Sequence, residues 1–185
     1  LIASKDRSGW FGASDTPYII GNINTKSFEN WWLVKLGIAK NDFTNTAMLA
    51  GTYFEHRILD ALHIPGLEKD RQILIEPLRL RVNLDGNTPN MIHEVKTYKY
   101  EKGFKVPKKY REQVWVQQFV SGIAGAQIDA YGLTDADYRN FYAPIDTGRL
   151  STHPIEYDEK WINEIYLPAL EYKAYCLIHG LWPEH

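Results

Sequence analysis

The chain has 185 residues, 44% of them apolar, 24% charged and 14% aromatic. That length suits a single domain able to bury roughly 70% of its unfolded surface. Lys and Arg number 21 against 23 Asp and Glu, a net charge of −2, which excludes a uniformly basic protein that coats nucleic acid through bulk charge but leaves room for a local basic surface. The one cysteine, Cys176, excludes an internal disulfide, a cysteine-based zinc site and an iron–sulfur cluster. It sits in an apolar helical stretch and reads as a buried small hydrophobe. No apolar run reaches the roughly 18 residues that span a bilayer and no signal peptide is visible, so a cytoplasmic location without membrane contact is expected.

Taken in chain order, Ser14-Asp15-Thr16-Pro17 predicts a helix start, with Ser14 as cap and Gly21 as stop. A second helix is expected over 27–36, opened by Ser27 and closed by Gly37; Phe28, Trp31, Trp32 and Lys35 form its stripe. A third runs over about 44–62 and stops before Pro65-Gly66. The period then changes to two. Strands are expected over 72–76, 78–84 and 91–97, with Asp85-Gly86-Asn87 as the turn between the last two. A helix follows over 107–120, ended near Gly122, then a strand over 126–132 and weaker ones over 141–145 and 155–157. A last helix covers 158–178. This order predicts an α/β fold with α+β-like character, one mixed sheet flanked by helices.

The chemistry concentrates in Leu84-Asp85-Gly86 and Glu94-Val95-Lys96. Alternate side chains of a strand share a face, so Glu94 and Lys96 point the same way, and His93 points to the other side. The hairpin brings Asp85 beside Glu94. Two carboxylates with an ammonium at a strand end suit a hard cation such as Mg²⁺, with a lysine to orient water or meet charge on a phosphate. Asp-Gly turns and Glu-x-Lys strands are common, so the pattern gains weight only from company. That company is Gly51-x3-Glu55 on the third helix, Tyr110-x2-Gln113 on the fourth, and Arg7-x6-Ser14 before the first. From Lys96 to Arg111 there are also seven basic residues and one acidic one, Glu101. Tyr98, Tyr100, Phe104 and Tyr110 interleave with them, and residues 100–109 are expected to form a mobile loop. Phosphate neutralisation and aromatic stacking on frayed bases are the chemistry of such a stretch.

Together these five motifs, in this order, resemble the lambda-exonuclease and YqaJ-type viral recombinases of the PD-(D/E)XK nuclease superfamily. The resemblance covers residues 7 to about 132. It implies a restriction-endonuclease-like core and Mg²⁺, with Mn²⁺ as substitute, in one or two ions. It implies Asp85, Glu94 and the main-chain carbonyl of Val95 as metal ligands, with Glu55 supporting them from its helix. Lys96 matches the catalytic lysine and Gln113 the glutamine beside it. Arg7 and Ser14 match the positions that hold a 5′-terminal phosphate, and Lys102, Lys105, Lys108 and Lys109 are the expected DNA contacts. Leu84 replaces the usual proline before the aspartate. The implied activity is 5′→3′ digestion of double-stranded DNA ends, leaving 3′ single strands for a phage-type annealing protein. The implied assembly is a ring-shaped homotrimer. An endonuclease or nickase on the same core, and a DNA-binding module without catalysis, are the alternatives.

Overall fold

The computed structural model describes residues 6–41 and 43–184. Its helices are α1 (Thr16–Ile20), α2 (Lys26–Lys35), α3 (Thr46–Ala61), α4 (Lys108–Ser121), α5 (Asp135–Arg139), α6 (Glu159–Trp161) and α7 (Leu167–Ile178). The strands are β1 (Glu68–Ile75), β2 (Leu80–Asn87), β3 (Met91–Lys99), β4 (Gly125–Leu133) and β5 (Leu150–Pro154). They form a five-stranded sheet in the order β1-β2-β3-β4-β5. β3 pairs antiparallel with β2 and parallel with β4, and β5 returns antiparallel to β4, so the sheet is mixed as expected. The parallel β3–β4 step requires a crossover, which α4 supplies.

The described chain divides into two compact units. One comprises Leu1–Asp42, Gln72–Asn83 and Asp158–His185; the other comprises Phe43–Arg71 and Leu84–Tyr157. In the first, α2 is capped by Thr25, whose hydroxyl accepts from the Phe28 amide, rather than by Ser27. Its Phe28 and Trp32 are buried and stack with centroids 6.0 Å apart, while Trp31 stacks on Tyr18 at 5.0 Å. Phe11 bridges to Leu80, and the Arg79 guanidinium lies 3.9 Å over the Trp10 ring. The helical run expected over 158–178 is present, interrupted by a π-turn at Ile162–Tyr166. Cys176 is buried as expected.

The second unit holds β3, β4 and β5 with α3 and α4. Its core joins Ala50, Phe54, Ile58 and Leu59 of α3 to Val95, Tyr131 and Leu133 of the sheet. α3 is capped by Asn45, whose side chain accepts from the Met48 amide. Four sequence expectations are corrected. Asp85-Gly86-Asn87 is part of β2, not a turn. The reversal lies after it, where the Thr88 hydroxyl accepts from the Asn90 and Met91 amides. The segments 141–145 and 155–157 are not strands; the fifth strand is Leu150–Pro154, a half-exposed edge whose polar residues conceal its period. The short helix α5, capped by Thr134 with Asp137 reciprocating, has no counterpart among the predicted elements. Finally, the loop expected over 100–109 is irregular only over 103–107 and gives way to α4 at Lys108. It opens with a 3₁₀ turn, Tyr100–Lys102, and Phe104 packs against Tyr98, Tyr110 and His153 with centroids 5.1, 6.5 and 5.0 Å away.

Candidate active site

Three elements of the second unit bring the predicted carboxylates together. β3 presents Glu94 and Lys96 on one face, as period two requires. His93, on the other face, is buried against Asp129 at 2.9 Å. β2 delivers Asp85, and the register pairs the next residue, Gly86, with His93. α3 contributes Gly51, Glu55 and Leu59, which share a stripe at four-residue spacing. A Cβ on Gly86 would stand 3.1 Å from Leu59 Cδ2 and 3.2 Å from Leu67 Cδ1. The glycine after Asp85 thus serves close approach of helix to strand rather than a turn. With Leu59 seated on Gly86, Glu55 one turn earlier comes close enough to Asp85 for each carboxyl to shift the other's titration.

Glu94 is 4% exposed and each of its oxygens is held. Gln113 Nε2 donates to Oε1 at 3.0 Å and Gln117 Nε2 donates to Oε2 at 2.7 Å. Lys96 Nζ stands 3.5 Å from Oε1 and donates to Gln113 Oε1 at 2.9 Å. The same ammonium lies 4.3 Å over the Tyr110 ring. Asp85 Oδ2 accepts from the Val95 amide at 2.8 Å, which fixes the carboxylate against the middle of β3.

The electrostatics follow from crowding like charges where water is scarce. Burial pushes the Glu94 carboxyl up to about 8, with the Asp85 charge adding to the rise and Lys96 opposing it. Burial and then the hydrogen bond and charge of Glu55 hold Asp85 well above the usual carboxylate range. Glu55 is raised by burial and by the Glu94 and Asp70 charges. Three carboxyls with one lysine leave the cluster short of positive charge.

That donor set fits a hard divalent cation. Every donor is oxygen, the excess charge is negative, and His56, next to Glu55, is paired with Asp70 at 2.7 Å. Among the described residues no group of three or more His, Cys, Asp or Glu side chains is placed to hold a metal ion as it stands. Asp85 is instead held by the Val95 amide and Glu94 by Gln113 and Gln117.

The remaining predicted residues fall into two groups. Lys102, Lys105, Lys108 and Lys109 are all exposed on the segment leaving β3 and on the first turn of α4. The aromatics among them stack mainly on each other, so the expectation of free base-stacking platforms is not met by Tyr98, Phe104 and Tyr110. Arg7 and Ser14 lie in the first unit, where both line a cleft of about 590 Å³ together with Lys35, Lys40, Asn30 and Trp31. Ser14 is not a helix cap. It sits inside a 3₁₀ turn, Ala13–Asp15, whose Asp15 side chain accepts from the Gly12 amide at 2.8 Å.

Sequence reasoning passed over Lys35, and read Gln117 with Gln113 as a glutamine able to hold a phosphate or water rather than a carboxylate. Lys35 is 3% exposed, and its ammonium donates to the Arg7 and Trp10 carbonyls at 3.3 and 2.8 Å and pairs with Asp15 at 2.9 Å. It therefore fixes the segment that carries Arg7. The one signal was a lysine inside an otherwise apolar helical stripe. For Gln117 the signal was its place one helical turn beyond Gln113.

No family model matches this sequence, and no curated protein matches it. Solved structures do match. An alkaline exonuclease, LHK-Exo, from Laribacter hongkongensis superposes with a TM-score of 0.67 at 19% identity over 94% of each chain. Its complex with dAMP gives 0.65 at 20% over 93% of each. A phage-related exonuclease from Haemophilus somnus 129PT gives 0.66 at 17%, over 92% of this chain and 96% of that one. The mixed five-stranded sheet flanked by helices is thus the fold that these exonuclease structures share.

Proposed function

We propose that the protein is a metal-dependent deoxyribonuclease that digests double-stranded DNA from its ends in the 5′→3′ direction. The observation that carries this reading is the convergence of Glu55, Asp85 and Glu94 with Lys96 and Gln113 in one buried, acid-rich site. Asp85, Glu94 and the Val95 carbonyl, supported by Glu55, would hold Mg²⁺ or Mn²⁺. The ion, when bound, polarises the phosphodiester and makes its water acidic.

The chain's own residues do the rest. Lys96 is held by Gln113 and Tyr110 where its ammonium can orient the attacking water and meet charge building on the phosphate. Water adds to phosphorus, the bond to the 3′-oxygen of the terminal nucleotide breaks, and that oxygen takes up a proton. The shortened strand keeps a 5′-phosphate. The cleft lined by Arg7, Ser14 and Lys40, and by Asp15 with its partner Lys35, would receive it through a guanidinium, a hydroxyl and an ammonium. Lys102, Lys105, Lys108 and Lys109 supply salt-sensitive backbone contacts. Work in the cytoplasm, supply of 3′ single strands to an annealing protein and assembly into a homotrimer complete the proposal. Among the described residues no helix is long and apolar enough to cross a membrane.

The test is digestion of end-labelled linear duplexes with and without a 5′-phosphate, beside a covalently closed circle. Loss of the 5′ label first, preference for the phosphorylated end and an intact circle are expected. Cutting of the circle would instead establish an endonuclease, and 3′-first digestion would overturn the polarity.

A further inference from the structure

α4 carries more of the site than the glutamine already assigned to it. Tyr110, Gln113 and Gln117 are spaced i, i+3 and i+7 and so share one helix face. Each meets the acid–lysine pair of β3 at a different point. Tyr110 offers its ring face to Lys96 Nζ at 4.3 Å, Gln113 bridges Lys96 and Glu94, and Gln117 holds the far oxygen of Glu94 at 2.7 Å. Gln117 is 1% exposed, so water does not compete for that bond. Tyr110 is itself propped by Phe104, which stacks on it 6.5 Å away.

We infer that Tyr110 and Gln117 are positioning residues with separate tasks: Gln117 fixes the Glu94 carboxylate and thereby sets divalent-metal affinity, while Tyr110 fixes the Lys96 ammonium and thereby sets turnover. The separation follows from their partners. Groups that orient a ligating carboxylate govern metal affinity, typically by roughly 10–100-fold. An ammonium over an aromatic face is held by the ring quadrupole, which Phe reproduces and Leu does not. The Tyr110 hydroxyl has no part in that interaction.

This inference rests on the metal-dependent nuclease reading, and its test separates the two. Mn²⁺ is titrated by calorimetry into the metal-free protein, and kcat and KM are measured on a linear duplex at saturating Mn²⁺. Gln117→Met, which keeps volume but loses the amide, should weaken Mn²⁺ binding roughly 10–100-fold, with kcat largely regained at saturating metal. Should that variant fail to fold, Gln117→Asn, too short to reach Glu94, reads the same quantity. Tyr110→Leu should lower kcat roughly tenfold with Mn²⁺ affinity and KM unchanged, and Tyr110→Phe should restore wild-type turnover. Unchanged Mn²⁺ binding in the folded Gln117 variants overturns the first half. A Tyr110→Phe variant as slow as Tyr110→Leu, or a Tyr110→Leu variant as fast as wild type, overturns the second. Parallel losses of metal affinity and kcat in both overturn the division of tasks. A wild-type protein that neither binds Mn²⁺ nor cuts DNA defeats the nuclease reading itself.

Discussion

Each unit of the molecule buries a knot of charge, and the two knots are built on opposite principles. In the first unit Lys35 and Asp15 neutralise each other at 2.9 Å, and their remaining capacity is spent on neighbours. Lys35 donates to two carbonyls; Asp15 accepts from the Gly12 amide and from Trp31 Nε1 at 2.9 Å. Burial pushes the Lys35 ammonium down while Asp15 holds it up. In the second unit three carboxyls face one lysine, and all three are pushed upward. A balanced buried pair is a fastening. A buried excess of one sign is unfavourable for the fold alone and makes sense as a place for a cation.

The largest effect expected from this contrast is on catalysis. Asp85→Ala, Glu94→Ala or Lys96→Ala should lower duplex digestion by roughly a thousandfold or more, with circular dichroism unchanged. Full activity in any of the three would place the chemistry elsewhere. The next effect is on stability and has opposite signs in the two knots. Lys35→Met leaves Asp15 buried without its cation and should cost about 3–5 kcal/mol. Glu94→Gln relieves like-charge crowding and should leave the metal-free protein as stable or more stable at alkaline pH. Thermal melts of both variants check the pair; equal destabilisation would erase the distinction.

A smaller effect is on pH. Glu94 has a folded value, about 8, above its ordinary 4.5. Its stabilising contribution is therefore complete below the unfolded value and is lost as pH rises through the folded one. The metal-free protein should melt at lower temperature at about pH 9 than at about pH 6, and Mg²⁺ should raise the melting temperature more at the higher pH, where protons no longer compete for the carboxylates. A pH-independent Mg²⁺ effect would contradict this. The smallest effect is expected at the exposed lysines. Removing Lys102 or Lys105 should weaken binding to all DNA sequences alike and reduce the salt slope by about 1 per lysine.

The two knots also differ in how far the sequence revealed them. Asp85, Glu94 and Lys96 were legible because a strand's period of two decides which side chains share a face, and because a short, ordered set of motifs surrounds them. Glu55 was legible as a motif, but the reason it reaches Asp85 was not. Gly86 looked like a turn residue, and only the packing of Leu59 and Leu67 onto it shows that it admits the helix. β5 escaped because Leu150–Pro154 is a half-exposed edge with little alternation, while the apolar residues of 141–145 pack against the core from an irregular segment. The Lys35–Asp15 pair was invisible for a different reason. Its partners are main-chain carbonyls and a residue 20 positions away, contacts that no periodicity encodes.

The central claim is that the acid-rich cluster is a metal site. Calorimetric titration of Mg²⁺ or Mn²⁺ into the metal-free protein at about pH 8, beside Glu94→Gln and Asp85→Asn, tests it most directly. The predicted result is saturable binding to the wild type with proton release, as carboxyls held above their ordinary range give up protons to the ion, and loss of that binding in both variants. Binding that survives unchanged in either variant, or its absence from the wild type, would contradict the assignment.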